Sequence, residues 1–90
     1  MAQASSEAVL VALPARVEVH ARPAADFVRT AMSFASSIQV ASGDREVDAK
    51  SLLSVLALGA KGGTELRLRA TGEDADAALT AMRERVATLS

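Results

Sequence analysis

The apolar positions of the chain fall into seven short runs of differing period. Residues 64–70, Thr-Glu-Leu-Arg-Leu-Arg-Ala, alternate strictly. That pattern places Leu66, Leu68 and Ala70 on one face, leaves Glu65, Arg67 and Arg69 facing water, and predicts a half-buried strand. Residues 8–13, Ala-Val-Leu-Val-Ala-Leu, are aliphatic and β-branched and stop at Pro14, which predicts a first strand followed by a loop over residues 15–18. Residues 38–41 and 45–48 alternate on either side of Ser42-Gly43-Asp44. The turn chemistry between them predicts a β-hairpin.

Three other runs have helical spacing. Ala24, Phe27, Val28, Ala31 and then Phe34 or Ala35 recur at i, i+3, i+4 and i+7, so a helix is expected from about Ala21 to Phe34 or Ala35, broken by Ser36-Ser37. Pro23 lies in its first turn, where a missing N–H costs nothing. A shorter helix is expected over residues 51–58, ended by Gly59 and by Gly62-Gly63. It has too many apolar residues for one buried face. Leu52, Leu53 and Leu56 cannot all point inward with Val55 and Leu58, which leaves either an exposed patch for a partner or a face covered by strand ends or the last helix. Leu79, Met82, Val86 and Leu89 form the stripe of a final helix, preceded by Thr71-Gly72-Glu73-Asp74, where Thr71 stands three residues before Asp74 as in a capping box.

The resulting order is βαββαβα. Strands and helices do not alternate as a doubly wound parallel sheet requires, so an α+β fold is expected, with three helices on one face of a four-stranded antiparallel sheet. The 90 residues suit one small domain, assigned to residues 7–90, with residues 1–6 read as a flexible N-terminus or linker.

Composition narrows the function. Ten basic and eleven acidic side chains leave a net charge of −1, and only two residues are aromatic, which argues against nucleic acid as a partner. The absence of cysteine excludes disulfide scaffolds and thiolate metal sites, and a single histidine makes a conventional metal site improbable. No metal and no cofactor are expected. No apolar run approaches the roughly 18 residues of a membrane span and the start is not a secretory signal, so no membrane role and a cytoplasmic location are expected.

The candidate chemistry sits at His20, directly before the first helix in Val19-His20-Ala21-Arg22-Pro23-Ala24-Ala25. Unpartnered N–H groups and the dipole at a helix start favour an anion, and Arg22 adds a guanidinium fork. An imidazole of ordinary pKa, about 6.5, is a competent nucleophile near neutrality. Phosphoryl is the group it could usefully accept. On these grounds alone a lone histidine before a helix is more often a cap or a surface residue.

The stretch His20-Ala21-Arg22-Pro23-Ala24 resembles the phosphorylation motif of the HPr family, the histidine-containing phosphocarrier proteins of the phosphoenolpyruvate-dependent sugar phosphotransferase system. The similarity extends from about Glu7 to Thr88, through Lys50–Gly59 and Ala70–Asp74, and implies the family's open-faced β-sandwich. It implies that His20 accepts phosphate from phospho-enzyme I, that Arg22 contacts the phosphoryl group, and that the phosphate passes to enzyme IIA domains. Leu52, Leu53 and Leu56 match the family's apolar docking surface, with Arg29 at its rim, a combination suited to brief docking on acidic partners. Ser51 matches the serine that an HPr kinase/phosphorylase modifies in some relatives, although a serine there is equally a plain N-cap. The implied protein is a monomeric carrier and not an independent enzyme.

Two positions depart from the family pattern. Val17 and Glu18 stand where most members have a small or polar residue and then glycine, and a carboxylate there would repel an incoming phosphoryl group unless it points to solvent. The alternatives are an HPr-like domain of a nitrogen-related or dihydroxyacetone-kinase-linked multiphosphoryl transfer protein, or a regulatory paralogue controlled through Ser51.

Overall fold

The computed structural model describes residues 9–14, 21–60 and 62–89. The expectations for the N-terminal tail, the loop of residues 15–18 including Val17 and Glu18, and His20 itself lie outside these residues. The element order is β1 (Val9–Ala12), α1 (Ala21–Met32), β2 (Ser37–Ser42), β3 (Arg45–Asp48), α2 (Leu52–Leu58), β4 (Glu65–Thr71) and α3 (Ala75–Thr88). All neighbouring strands are antiparallel, in the order β1-β4-β2-β3. The three helices pack on one face, giving the expected α+β open-faced β-sandwich.

The pattern of β4 explains the layering. Leu66, Leu68 and Ala70 are buried and Glu65, Arg67 and Arg69 are exposed, so each pleat contributes one residue to the core and one to water. β2 supplies Ile38 and Val40, and α3 supplies Ala78, Leu79, Met82 and Val86 at helical spacing. From above, α1 closes this core with Ala24, Phe27, Val28 and Ala31. Fully burying an aliphatic side chain stabilises by about 1.5–3 kcal/mol, so an alanine-rich stripe such as that of α1 depends on Phe27 and Val28 for most of its hold.

The β2–β3 turn consists of Gly43 and Asp44, closed by the Ser42–Arg45 pair. Gly43 has φ +62°, the backbone that the first residue of such a hairpin turn takes most readily as glycine.

Two boundaries differ from the sequence reading by more than one residue, and both involve Asp74. α1 ends at Met32, not at Phe34 or Ala35. Ser33 and Phe34 N–H groups bond three residues back, to Thr30 and Ala31, which tightens the last turn. The next two N–H groups, those of Ala35 and Ser36, then donate to the Asp74 carboxylate at 2.9 Å each, so the helix cannot continue. The expected capping box at the start of α3 does not form either. Thr71 belongs to β4, and Asp74 occupies the N-cap without a side-chain bond to its own helix, because its carboxylate is committed to residues 35 and 36.

Candidate functional site

The chain enters α1 at Ala21, one residue after His20 in sequence. Arg22 and Pro23 are the second and third helical residues, as the sequence predicts. Arg22 is exposed and Pro23 is buried, so the proline anchors the first turn while the guanidinium faces solvent. No acidic residue lies in that turn. A cation at the positive end of a helix dipole disfavours the helix and favours a bound anion. Local rules of helix design are commonly broken at positions that serve function.

α2 is positioned by short polar contacts at both ends. Asp48 Oδ1 accepts from the Lys50 N–H at 2.9 Å and its carbonyl from the Ser51 N–H at 3.1 Å, turning the chain out of β3. Ser51 is the N-cap: its Oγ accepts from the Ser54 N–H at 3.3 Å. At the other end Gly59 has φ +68° and donates to the Leu56 carbonyl, the left-handed C-cap that glycine allows. Lys50 Nζ donates to the Phe34 carbonyl at 2.7 Å and ties the entry of α2 to the segment that follows α1.

The apolar excess of α2 divides between core and surface. Val55 is buried, while Leu56 and Leu58 are half-buried and packed against the core. Leu53 is 81% exposed and Leu52 38% exposed. The expected patch is therefore present at Leu52 and Leu53, and Leu56 contributes only its outer edge. Met32, 66% exposed on the last turn of α1, joins the exposed apolar residues and was not anticipated from sequence; the available signal was its position off the buried stripe. Arg29 is exposed and its Nη1 donates to Asp26 Oδ1 at 3.0 Å.

Pro23, Phe27, Val55, Leu58 and Leu89 line an apolar void of about 20 Å³, which holds no more than a water-sized volume. Among the described residues no group of three or more His, Cys, Asp or Glu is placed to hold a metal ion. No helix among them is long and apolar enough to cross a membrane.

The family profile described as "PTS HPr component phosphorylation site" matches residues 9–88. The chain belongs to the HPr family. It is 36% identical over 69 residues to the phosphocarrier protein HPr of Mycoplasma capricolum subsp. capricolum, covering 77% of this chain and 78% of the relative. The crystal structure of HPr-C-His from Thermoanaerobacter tengcongensis superposes with a TM-score of 0.87 at 34% identity, over 92% of this chain and 93% of that one. A multiphosphoryl transfer protein of Xanthomonas campestris pv. campestris is 43% identical over 65 residues; these cover 72% of this chain and 8% of that much longer protein.

Membership of the HPr family accounts for the architecture at two levels. The fold is that of the family's solved structures, and the histidine motif falls within the matched residues. The exposed Leu52 and Leu53 lie on the helix where the resemblance placed a docking surface, next to the Ser51 cap.

Proposed function

We propose that this chain is a cytoplasmic phosphocarrier that accepts a phosphoryl group on His20 from phospho-enzyme I and passes it to enzyme IIA domains of the sugar phosphotransferase system. The observation that carries the reading is the first turn of α1: Arg22 exposed, no acidic side chain present, and the only histidine of the chain immediately before it in sequence. Family membership supplies the reaction class.

In this mechanism the neutral imidazole of His20 attacks the phosphorus of the donor phosphohistidine in line. An N–P bond forms on His20 as the donor's N–P bond breaks, and the donor imidazole keeps the electron pair. Arg22 and the N–H groups of the first helical turn stabilise the charge on the equatorial oxygens, and positioning supplies most of the remainder. That stabilisation has to stay moderate, since the same bond is surrendered to the next protein. Leu52, Leu53 and the outer edge of Leu56 form the contact surface for both partners, with Arg29 at its rim.

The test is incubation with phosphoenolpyruvate and enzyme I. The wild-type chain gains an acid-labile phosphate, and His20→Ala gains none. Full labelling of His20→Ala removes His20 from the mechanism.

A second reading keeps the chemistry and changes the setting. The similarity to a segment of a multiphosphoryl transfer protein supports an HPr-like carrier domain that works beside other phosphotransfer domains. Ser51 offers a regulatory variant of either: a phosphate there would sit at a helix N-terminus, which favours it, and directly beside Leu52 and Leu53, where it would oppose apolar docking. An acid-stable phosphate formed with ATP and an HPr kinase, mapped to Ser51, is the corresponding test.

A further inference from the structure

α2 has seven residues, Leu52–Leu58, and none of them is charged. A helix this short is not stable by itself, and Val55 is its only fully buried side chain, so its order depends on what holds its ends. Ser51 caps the N-terminal end. At the C-terminal end two donors come from outside the helix: the Gly59 N–H bonds the Leu56 carbonyl and Arg45 Nη1 bonds the Ala57 carbonyl, at 3.2 Å each. The last carbonyls of a helix lack intrahelical partners and form the negative end of its dipole, so a cationic donor there stabilises by its bond and by its charge. The last turn of α2 has no basic residue of its own, and Arg45 stands in for one.

The hairpin puts Arg45 in that position. α2 packs beside β3, and Arg45 opens β3, paired with Ser42 across the turn. Strand alternation places it on the face of Val47, which packs against the core, while Glu46 points the other way and is bonded by Arg69. Among the described residues Arg45 has no carboxylate partner, so the helix end does not compete for its charge. On the helix surface Leu56 stands four residues from Leu52 and three from Leu53, which makes it a neighbour of both. Leu56 and Ala57 belong to the turn that Arg45 caps, so fraying of that turn withdraws the neighbour that Leu52 and Leu53 share.

We propose that Arg45 is a positioning residue for phosphoryl transfer: it caps α2 from the adjoining strand and so keeps Leu52, Leu53 and Leu56 in one arrangement while the helix itself stays uncharged. The inference rests on the phosphocarrier reading and adds a residue outside the contact surface which that reading describes. In this role Arg45 touches no reacting atom. It acts on recognition, through KM, and leaves kcat alone.

The experiment compares the full wild-type chain with Arg45→Ala and Arg45→Lys, by residue-resolved amide hydrogen exchange and by the kinetics of transfer from phospho-enzyme I. Arg45→Ala should exchange the amides of residues 56–59 about two- to fivefold faster and raise KM about twofold, with kcat unchanged. Arg45→Lys should recover most of both effects, since an ammonium can also serve the last carbonyls of a helix. A raised KM with unchanged exchange would make Arg45 a direct partner contact, and faster exchange with unchanged KM would make it structural only. Either result, or a lysine variant no better than alanine, overturns the inference while leaving His20 as the acceptor. A wild-type chain that takes no phosphate removes the phosphocarrier reading and this inference with it.

Discussion

Asp74 holds Ser36 by two hydrogen bonds, one from its backbone N–H at 2.9 Å and one from its hydroxyl, across 38 residues of sequence. With the Ala35 N–H as a third donor, this carboxylate fastens the α1–β2 connection to the β4–α3 turn. Ser36 is buried, so its hydroxyl needs the partner that Asp74 provides. The bond from Ser36 Oγ, followed by those from the backbone, holds the Asp74 carboxyl below its ordinary value of 3.8.

The sign of the resulting pH dependence is fixed. The folded value is depressed, so the contribution of Asp74 is complete above the unfolded value and is lost as pH falls through the folded one. Asp74→Asn should unfold at a lower temperature than the wild type by an amount that is constant above about pH 5 and shrinks as acid protonates the wild-type carboxylate. Thermal melts followed by circular dichroism across that range check this. A difference that grows in acid would contradict it.

Gly72 faces the same knot from the other side. It has φ +146°, and a Cβ built there would lie 2.8 Å from the Ser36 Cα, closer than packed atoms tolerate. Gly72→Ala should cost about 1–3 kcal/mol, from backbone strain together with the displaced Ser36. Chemical denaturation of the variant beside Gly63→Ala provides the comparison. Gly63 also has positive φ, but a Cβ there meets nothing within 4 Å, so its loss should be the smaller of the two.

Leu53 is the residue where exposure and apolar character conflict most. At 81% exposed it contributes little to the fold, and Leu53→Ser should leave stability within about 0.5 kcal/mol of the wild type. The same change should slow phosphoryl transfer through a raised KM, since it removes the most exposed apolar side chain of the proposed docking face. Stopped-flow transfer assays with equilibrium unfolding as the control separate the two effects.

Arg22 should behave in the opposite manner. Its side chain faces solvent in the first turn of α1, so Arg22→Ala leaves the fold intact and lowers the rate of phosphoryl transfer by roughly tenfold to a hundredfold, the scale seen when one preorganised donor to a developing anion is lost. Lysine should restore only part of it, because a point charge does not reproduce the guanidinium fork.

Local pattern revealed those elements whose stability is local. The alternation of residues 64–70 predicts β4 to within one residue, and Ser51 with Gly59 predicts both ends of α2. The end of α1 was not legible, because it is set by a carboxylate 39 residues away from Ala35. Thr71-Gly72-Glu73-Asp74 carries the letters of a capping box, yet the tertiary partner of Asp74 outcompetes the local one. At the candidate site, the motif around His20 and Arg22 was readable because its residue types are unusual together at a helix start. The division of α2 into inward Val55 and outward Leu52 and Leu53 needed the packing of α1 and the sheet beside it. Met32 is not marked by the pattern, because a single methionine off the buried stripe resembles any surface residue.

The central claim is that one imidazole carries the phosphoryl group. It is tested most directly by mass-spectrometric mapping of the wild-type chain after brief incubation with phosphoenolpyruvate and enzyme I, under mildly alkaline conditions that preserve phosphohistidine. A single phosphate on the peptide containing His20, lost on acidification and discharged on addition of an enzyme IIA domain, is the predicted result. A phosphate on any other residue, or a His20 peptide that remains unmodified while enzyme I is fully charged, would contradict it.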